Sequence, residues 1–387
     1  MQLGGGWVGF DREKYQLKNA SFTTCDLASP HYRVTAADLQ LYPEYGWMVA
    51  YWGYFWLWNI PVVPMPTYIY DFRAGERAQK NLPPFPQVGS NDDDGNYISE
   101  TLAWHLRREF SGTYTLSYFA NKGFGLGANA NYILNDRNEG ELRLNWNPKD
   151  QVFGGVTHVL SFGGEVTEKP SFEFPISPRY RQYELETILS SRERINYQKV
   201  SYTPNLRLRS REGEIVRKEA KYDLELTAGL VAEEGNTRLA RGGGNLKFYG
   251  DFPETGFGYI TPSLRLDALY YSNGGKWVKP SAGIDLSKSF TRDVSLGMGY
   301  QHYLFVEGQS PFNFEMYRFR AADRLRSDLS FKIGETAAKI AASYFLDNWS
   351  PEDIDYTLFF LLHCYNLEFT YRSMRREFVL GVSLAAR

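Results

Sequence analysis

The sequence predicts an all-β protein: a transmembrane antiparallel β-barrel of about sixteen strands, led in by a smaller β-domain. Three observations carry that reading. The chain of 387 residues holds 28 Tyr, 26 Phe and 9 Trp, 16% aromatic in all, beside 35 Gly, and aromatic residues favour strands and interfaces. Apolar and polar residues alternate with a period of two through most of the sequence, which is the mark of a strand with one apolar face. Nowhere is there a run approaching the roughly 18 apolar residues of a membrane helix. The nearest, Trp47 to Trp58, is stopped at once by Asn59, Pro61, Pro64 and Pro66.

Residues 1–70 read as the end of a compact β-domain. Short strands (Tyr15 to Thr24, Tyr32 to Tyr42, Trp47 to Trp58) follow closely on one another, and the third carries apolar residues on both faces. The start, Met-Gln-Leu-Gly-Gly-Gly-Trp, lacks the basic and apolar blocks of a secretory signal, so the chain is expected to be a fragment whose export signal lies upstream. Residues 71–96 read as a linker leading into the barrel, with Gly75, Pro83, Pro84, Pro86, Gly89 and the run Asn91-Asp92-Asp93-Asp94-Gly95.

Residues 97–387 read as the barrel. Leu142, Leu144 and Trp146 alternate with Glu141, Arg143 and Asn145, and Tyr222, Leu224 and Leu226 with Lys221, Asp223 and Glu225. The same alternation sets Leu367, Phe369 and Tyr371 against Glu368, Thr370 and Arg372. Turn clusters such as Ser272-Asn273-Gly274-Gly275 divide such segments at intervals of about 18 residues, the spacing of long strands plus turns. A polar face rich in Arg, Lys, Asp, Glu and Asn suits a wet or plugged lumen, and closure removes edges that lipid cannot solvate. Aromatics near strand ends (Tyr271, Trp277, Tyr300, Tyr303, Tyr371) are expected to form girdles at the two interfaces.

Catalysis and cofactors find little support. Lys plus Arg is 43 against 45 Asp plus Glu, a net charge of -2, which argues against a nucleic-acid partner. His31, His105, His158, His302 and His363 are scattered without metal-ligand spacing, so no metal site is expected. Gly123-Phe124-Gly125-Leu126-Gly127 and Gly242-Gly243-Gly244 lack the following helix that phosphate binding needs. Asp353 and Asp355 sit at a turn and read as solvated charge. The chain is expected not to be an enzyme. The two cysteines, Cys25 and Cys364, are either unrelated buried thiols or a bridge between the two regions, and assembly through an oxidising compartment favours the bridge.

Several motifs resemble the lipopolysaccharide-assembly outer-membrane protein (LptD/OstA) family. Thr23-Thr24-Cys25, then His31-Tyr32-Arg33-Val34-Thr35-Ala36, then Asn59-Ile60-Pro61-Val62-Val63-Pro64-Met65-Pro66 are similar to the end of its periplasmic domain and the lead-in to its barrel. Leu362-His363-Cys364-Tyr365-Asn366-Leu367 resembles its cysteine-bearing strand near the C-terminus, and Arg376-Glu377-Phe378-Val379-Leu380-Gly381-Val382 its closing strand.

The resemblance implies a short or N-terminally truncated homologue: a jellyroll-like periplasmic segment followed by an outer-membrane barrel that inserts lipopolysaccharide, or a related glycolipid, into the outer leaflet. It implies periplasmic bridge proteins and a plug lipoprotein as partners, no cofactor, and a Cys25–Cys364 disulfide. It places a lateral seam between the first and last barrel strands, flanked by Pro61, Pro64, Pro66 and Pro86 on one side and Phe378, Leu380 and Val382 on the other. Trp47, Trp52, Phe55, Trp56 and Trp58 become candidates for the lipid path. A general outer-membrane porin or solute channel is the competing expectation.

Overall fold

The computed structural model describes residues 2–10, 14–23, 25, 27–43, 47–71, 86–107, 109–167, 179–210, 213–216, 220–250, 252, 256, 258–361, 363 and 365–384. The N-terminal region is one antiparallel sheet built from β1 (Gln2–Gly4), β2 (Trp7–Phe10), β3 (Tyr15–Thr23), β4 (Tyr32–Tyr42), β5 (Trp47–Leu57) and β6 (Ile60–Asp71). β1 and β2 lie end to end along β3, so the order across the sheet is β1 and β2, β3, β4, β5, β6. A jellyroll would need a second facing sheet, and the described residues form a single sheet here.

A buried apolar core covers one face of this sheet. Leu17, Phe22, Tyr32, Val34, Leu39, Met48, Phe55 and Met65 are its larger members. The strands keep that face by changing phase together. Asn19 (φ 48°) and Trp52 (φ 54°) adopt left-handed backbone, and the ladders step over Asn19, Ala37 and Trp52 together without a change of register. Ala20 therefore follows Leu17, and Phe55 shares the face of Met48 and Ala50. The two-faced apolar pattern of the third N-terminal strand is this phase change seen in one dimension. Gly53 is required where the strands meet, because a Cβ there would run into the Thr35 carbonyl.

The barrel begins with β7 (Gln87–Asn91), β8 (Gly95–Arg107), β9 (Phe110–Phe119), β10 (Gly123–Asn135), β11 (Asn138–Asn147) and β12 (Gln151–Thr167). It continues with β13 (Arg179–Ile195), β14 (Gln198–Ser210), the short side strand β15 (Gly213–Val216), β16 (Ala220–Glu233), β17 (Arg238–Gly250), β18 (Tyr259–Tyr271) and β19 (Lys276–Ser289). Then come β20 (Val294–Tyr303), the two-residue β21 (Glu307–Gly308), β22 (Arg324–Ile333), β23 (Thr336–Phe345), β24 (Ser350–Leu361), β25 (Tyr365–Arg372) and β26 (Glu377–Leu384). β14 pairs directly with β16 and β20 with β22, and β26 returns to β7. Setting β15 and β21 aside, the wall is a closed antiparallel barrel of 18 strands. The expectation of about sixteen is corrected upward, because β7 lies within the Pro- and Gly-rich stretch 71–96 that reads as a linker and adds a strand the alternation does not show.

Strand parity sorts the wall into two faces. Leu144 (58% exposed) and Leu264 (57%) point outward with Leu116, Leu126, Leu142, Leu226 and Leu358, an apolar belt matched to hydrocarbon. The opposite face carries paired charge. Arg207 bridges Glu186 at 2.9 Å and Glu225 at 3.6 Å, while Arg143 bridges Glu193 at 2.9 Å and Glu141 at 3.0 Å. No helix among the described residues is long and apolar enough to cross a membrane.

The antiparallel order sends the turns after β7, β9, β11, β13, β16, β18, β23 and β25 to one rim, called here the far rim. The connections after β8, β10, β12, β14, β17, β19, β22 and β24 lie at the near rim, beside the N-terminal sheet. The connection after β20 differs from the other described ones: residues 304–323 carry one helical turn, α1 (Asn313–Met316), and turn into the lumen. Phe312 and Phe314 pack against the inward side chains Ile188, Val200, Tyr202, Val231, Tyr271 and Trp277. Two sequence expectations change as a result. The lumen is polar in part but holds an apolar core, and Tyr271, Trp277 and Tyr303 join that core or its margin through Phe312 and Phe319. Parity turns those three inward. Tyr300 and Tyr371 remain on the outer face at 38% and 46% exposure.

Candidate functional site

The joint that closes the barrel is short. β26 and β7 share three residue pairs among the described residues: Phe378 with Ser90, Val379 with Gly89, and Leu380 with Val88. On its other side β26 makes eight pairs with β25, and β18 makes twelve with β19. β7 holds five residues against thirteen in β8, and among the described residues its pairing with β26 ends at Val88. Gly89 sits in the joint because a Cβ there would strike the Tyr97 ring and lie 2.7 Å from the Phe378 carbonyl.

The N-terminal sheet covers the lower end of this seam. Leu102 of β8, Leu367 of β25 and Val382 of β26 pack against its apolar core. On the same border the Tyr51 hydroxyl shares a hydrogen bond of 2.6 Å with Nδ1 of His105 in β8, and the Tyr42 ring lies 6.4 Å from that imidazole. Burial, with Tyr42 and Asp38 nearby, pushes the Tyr51 phenol up to about 12. It stays a neutral hydroxyl at any physiological pH. Burial opposes ionisation of Asp38, yet hydrogen bonds from Gln16, Gln40 and Lys18 hold its carboxyl below the usual range.

Cys25 and His31 come from the loop between β3 and β4, and His363 from the near-rim connection between β24 and β25. Cys25 is buried and disulfide-bonded. Its Sγ lies 3.9 Å from Nδ1 of His363, and the His31 and His363 rings stand edge to face at 5.8 Å. Cys364 lies outside the described residues. Sequence spacing gave no signal for this cluster, because its members come from opposite ends of the chain and meet only through closure of the barrel.

At the far rim the tip of the first barrel hairpin is tied down by charge. Asn91 Oδ1 accepts the Asp93 and Asp94 amides at 3.0 and 2.8 Å. The buried Lys122 ammonium, on the turn after β9, bridges Asp94 at 2.6 Å and Asp150 at 3.6 Å, with Asp93 also in contact. Arg194 reaches Asp94 at 3.2 Å and Lys199 reaches Asp150 at 3.1 Å. Asp94, Lys122, Asp150, Arg194 and Lys199, together with Arg192, line a cavity of about 190 Å³. Burial of Asp94 works against its charge, but Lys122, Asn91 and Arg194 hold its carboxyl low, and Asn147, Lys199 and Lys122 do the same for Asp150. Two carboxylates, Asp94 and Asp150, face four cations, Lys122, Arg192, Arg194 and Lys199, so the lining carries an excess of positive charge.

The inward-turned segment is held by two buried carboxylates. Glu233 Oε2 accepts the Asn313 amide at 2.9 Å and Oε1 the Phe314 amide at 2.9 Å. Glu315 accepts the Tyr271 hydroxyl at 2.6 Å and the Ser310 hydroxyl, and pairs with the buried Arg241. Asn205 Oδ1 accepts from Thr227 at 3.2 Å and from Arg241 at 3.4 Å. Sequence reading missed this plug. Its signal was a connection with no alternation, Gln309-Ser310-Pro311-Phe312-Asn313-Phe314.

Of the residues expected at the seam, Phe378 and Leu380 lie in the closing pairs, and Val382 packs on the N-terminal core instead of on β7. Pro86 is exposed directly before β7. Pro61, Pro64 and Pro66 lie on β6, which pairs with β5 alone; as an edge strand it tolerates residues that donate no amide. Of the candidate lipid-contacting residues, Phe55 is fully buried in the core, whereas Trp52 is 74% and Trp58 58% exposed. Trp56 is half-buried under Arg33, its ring 4.9 Å from the guanidinium. The Trp47 side chain lies outside the described residues.

No protein-family model matches the chain. Among curated proteins it is similar to the LPS-assembly protein LptD of Azoarcus sp. strain BH72, 30% identical over 155 residues, which is 39% of this chain and 18% of that protein. It is also similar to LPS-assembly protein LptD of Shewanella oneidensis, 24% identical over 163 residues, covering 40% of this chain and 21% of that one. The matched stretch thus spans about a fifth of the length of either relative. Among solved structures, the crystal structure of Pseudomonas aeruginosa OccK11 (OpdR) overlays at a TM-score of 0.41 with 12% identity, over 78% of this chain and 94% of that one.

Proposed function

We propose, on the premise that this chain is LptD-like in sequence, that it works in the outer membrane in the assembly of lipopolysaccharide or a related glycolipid. In this reading the N-terminal sheet stands on the periplasmic side and hands lipid to the seam between β7 and β26, which parts to release it into the outer leaflet. The work is transport and not catalysis. Periplasmic bridge proteins would feed the sheet. The plug made by residues 304–323 occupies space that a partner lipoprotein would otherwise have to fill.

One observation supports this reading most: the three-pair joint lies directly above the place where the apolar core of the sheet packs on Leu102, Leu367 and Val382. An acyl chain leaving an apolar core needs an apolar continuation, and those side chains supply it. Parting the joint in hydrocarbon strands backbone amides and carbonyls at a cost of several kcal/mol each. Saccharide hydroxyls can take their place, whereas a bare lipid cannot, so the joint favours opening for a molecule with both parts. We read the Cys25 disulfide as pairing with Cys364, the one other cysteine in the sequence, which fixes the sheet beneath the seam. The porin reading is the alternative, and the segment folded into the lumen narrows the path that a solute channel would use.

The test is to lock the joint. A chain carrying Val88→Cys and Leu380→Cys, joined by a short bis-alkylating reagent, is compared with one locked at the wall pair Leu325 and Tyr344. Glycolipid reaching the outer surface is expected to stop in the first and continue in the second. Continued delivery with the joint locked would remove the seam from the mechanism.

A further inference from the structure

Cys25, His31 and His363 bring their ligating atoms within 4.8 Å of one another. Sγ of Cys25 is 3.9 Å from Nδ1 of His363, and the Nδ1 of His31 is buried with no hydrogen-bond partner among the described residues. Zinc bonds of about 2.3 Å to sulfur and about 2.0–2.1 Å to imidazole nitrogen, at tetrahedral angles, set ligand edges of roughly 3.3–3.6 Å. The cluster therefore needs to contract by only about 1 Å to reach ligating geometry. We propose that the reduced form of this joint is a binding site for a borderline-soft divalent cation of the zinc class, with one sulfur and two imidazoles as ligands and a fourth position open to water.

The disulfide excludes the metal, so the two states alternate. An external dithiol supplies the electrons: one of its thiolates attacks the disulfide, the S–S bond breaks, and the dithiol departs as its own disulfide, leaving two protein thiols. The cation then takes the electron pair of the Cys25 sulfur and releases its proton to solvent, while one neutral nitrogen from each histidine completes the protein ligands. Both clamps join the same two places, the loop between β3 and β4 and the near-rim connection between β24 and β25. The metal holds the N-terminal sheet on the barrel while the thiol is reduced, and it must leave before the disulfide closes.

The site can be read in the full-length chain in detergent with Cys364→Ser, which denies Cys25 its partner. Cobalt(II) is expected to bind one to one with a sulfur-to-metal charge-transfer band, to be displaced by zinc, and to give no such band with the oxidised parent chain. His31→Ala and His363→Ala should each weaken binding at least about tenfold, as loss of one of three ligands implies. Absence of the band, or a band indifferent to both histidine changes, overturns the proposal. Should Cys364→Ser fail to fold, the parent chain decides the matter after reduction and removal of the dithiol. Zinc is expected to slow return of the disulfide at least about tenfold by masking the thiolate, and an unchanged rate of closure overturns the site.

Discussion

The N-terminal sheet and the barrel are both antiparallel β-structure made from the same aromatic-rich composition, yet they dispose of apolar side chains in opposite ways. The sheet covers its large residues: Leu39, Met48 and Phe55 have no exposed surface. The barrel wall sets Leu144, Leu264 and Tyr114 outside and turns Arg143, Glu186 and Arg207 inward. Where the barrel does bury apolar residues, it does so inside the lumen, around Phe312 and Phe314. What separates the regions is the solvent each strand face must meet, and strand propensity is the same for both.

That contrast has an energetic consequence that mutation can break. Phe55 sits among fixed neighbours, so Phe55→Ala removes apolar burial and leaves a hole the sheet cannot fill, for an expected loss of about 3–5 kcal/mol. Leu144 faces a fluid medium that closes over any gap. Leu144→Ala therefore loses only the transfer term, about 1–2 kcal/mol. Denaturant titration in micelles or bilayers, read on tryptophan fluorescence and on heat-modified gel mobility, separates the two. Equal losses would mean the wall is packed as tightly on its outer face as the sheet is within.

The plug sharpens the same contrast, because there the barrel behaves like the sheet. Arg241→Ala leaves the Glu315 carboxylate buried without its cation, an expected cost of about 3 kcal/mol, and residues 304–323 should swing out. Protease cleavage in that segment and a rise in single-channel conductance are the expected readings, with the wall itself intact. A conductance that does not change would place the plug's hold elsewhere, in Phe312 and Phe314.

The smallest effect is expected at the far rim and concerns pH. Asp94 and Asp150 have carboxyls held below their unfolded values, so their contribution is complete above about pH 4 and is lost as pH falls through the lower folded values. Lys122 is shifted upward, with the hydrogen bonds it donates to Asp93 and Asp94 outweighing its burial, so its share is lost only in strong alkali. The protection of residues 91–95 against hydrogen exchange, taken relative to the intrinsic rate at each pH, should be the same at pH 7 and pH 5 and should fall toward pH 3. Loosening already at pH 5 would show that the carboxylates are not held as described.

Much of this architecture was legible in the sequence, for definite reasons. Alternation such as Glu141 to Trp146 reads directly as a stave because lipid and lumen impose a strict two-residue period. β7 was illegible because five residues carrying Gly89 and followed by an Asp run look like a turn, and only its pairing with Phe378 to Leu380 makes it part of the wall. Trp52 misled for a related reason: its left-handed backbone moved Phe55 onto the face of Met48, and a period-two reading counts that as apolar on both sides. The site was half-legible. Phe378 and Leu380 could be placed at the joint, but the meeting of Cys25, His31 and His363 depends on the closed ring and leaves no local pattern.

Phe312, Phe314 and Glu315 arrive on the same polypeptide as the strands they pack against. Every copy made carries its own stopper, in a ratio of one to one that no shortage of a second gene product can upset. It also means that a lesion in this segment is inherited together with the wall, so the two can be altered separately within a single reading frame.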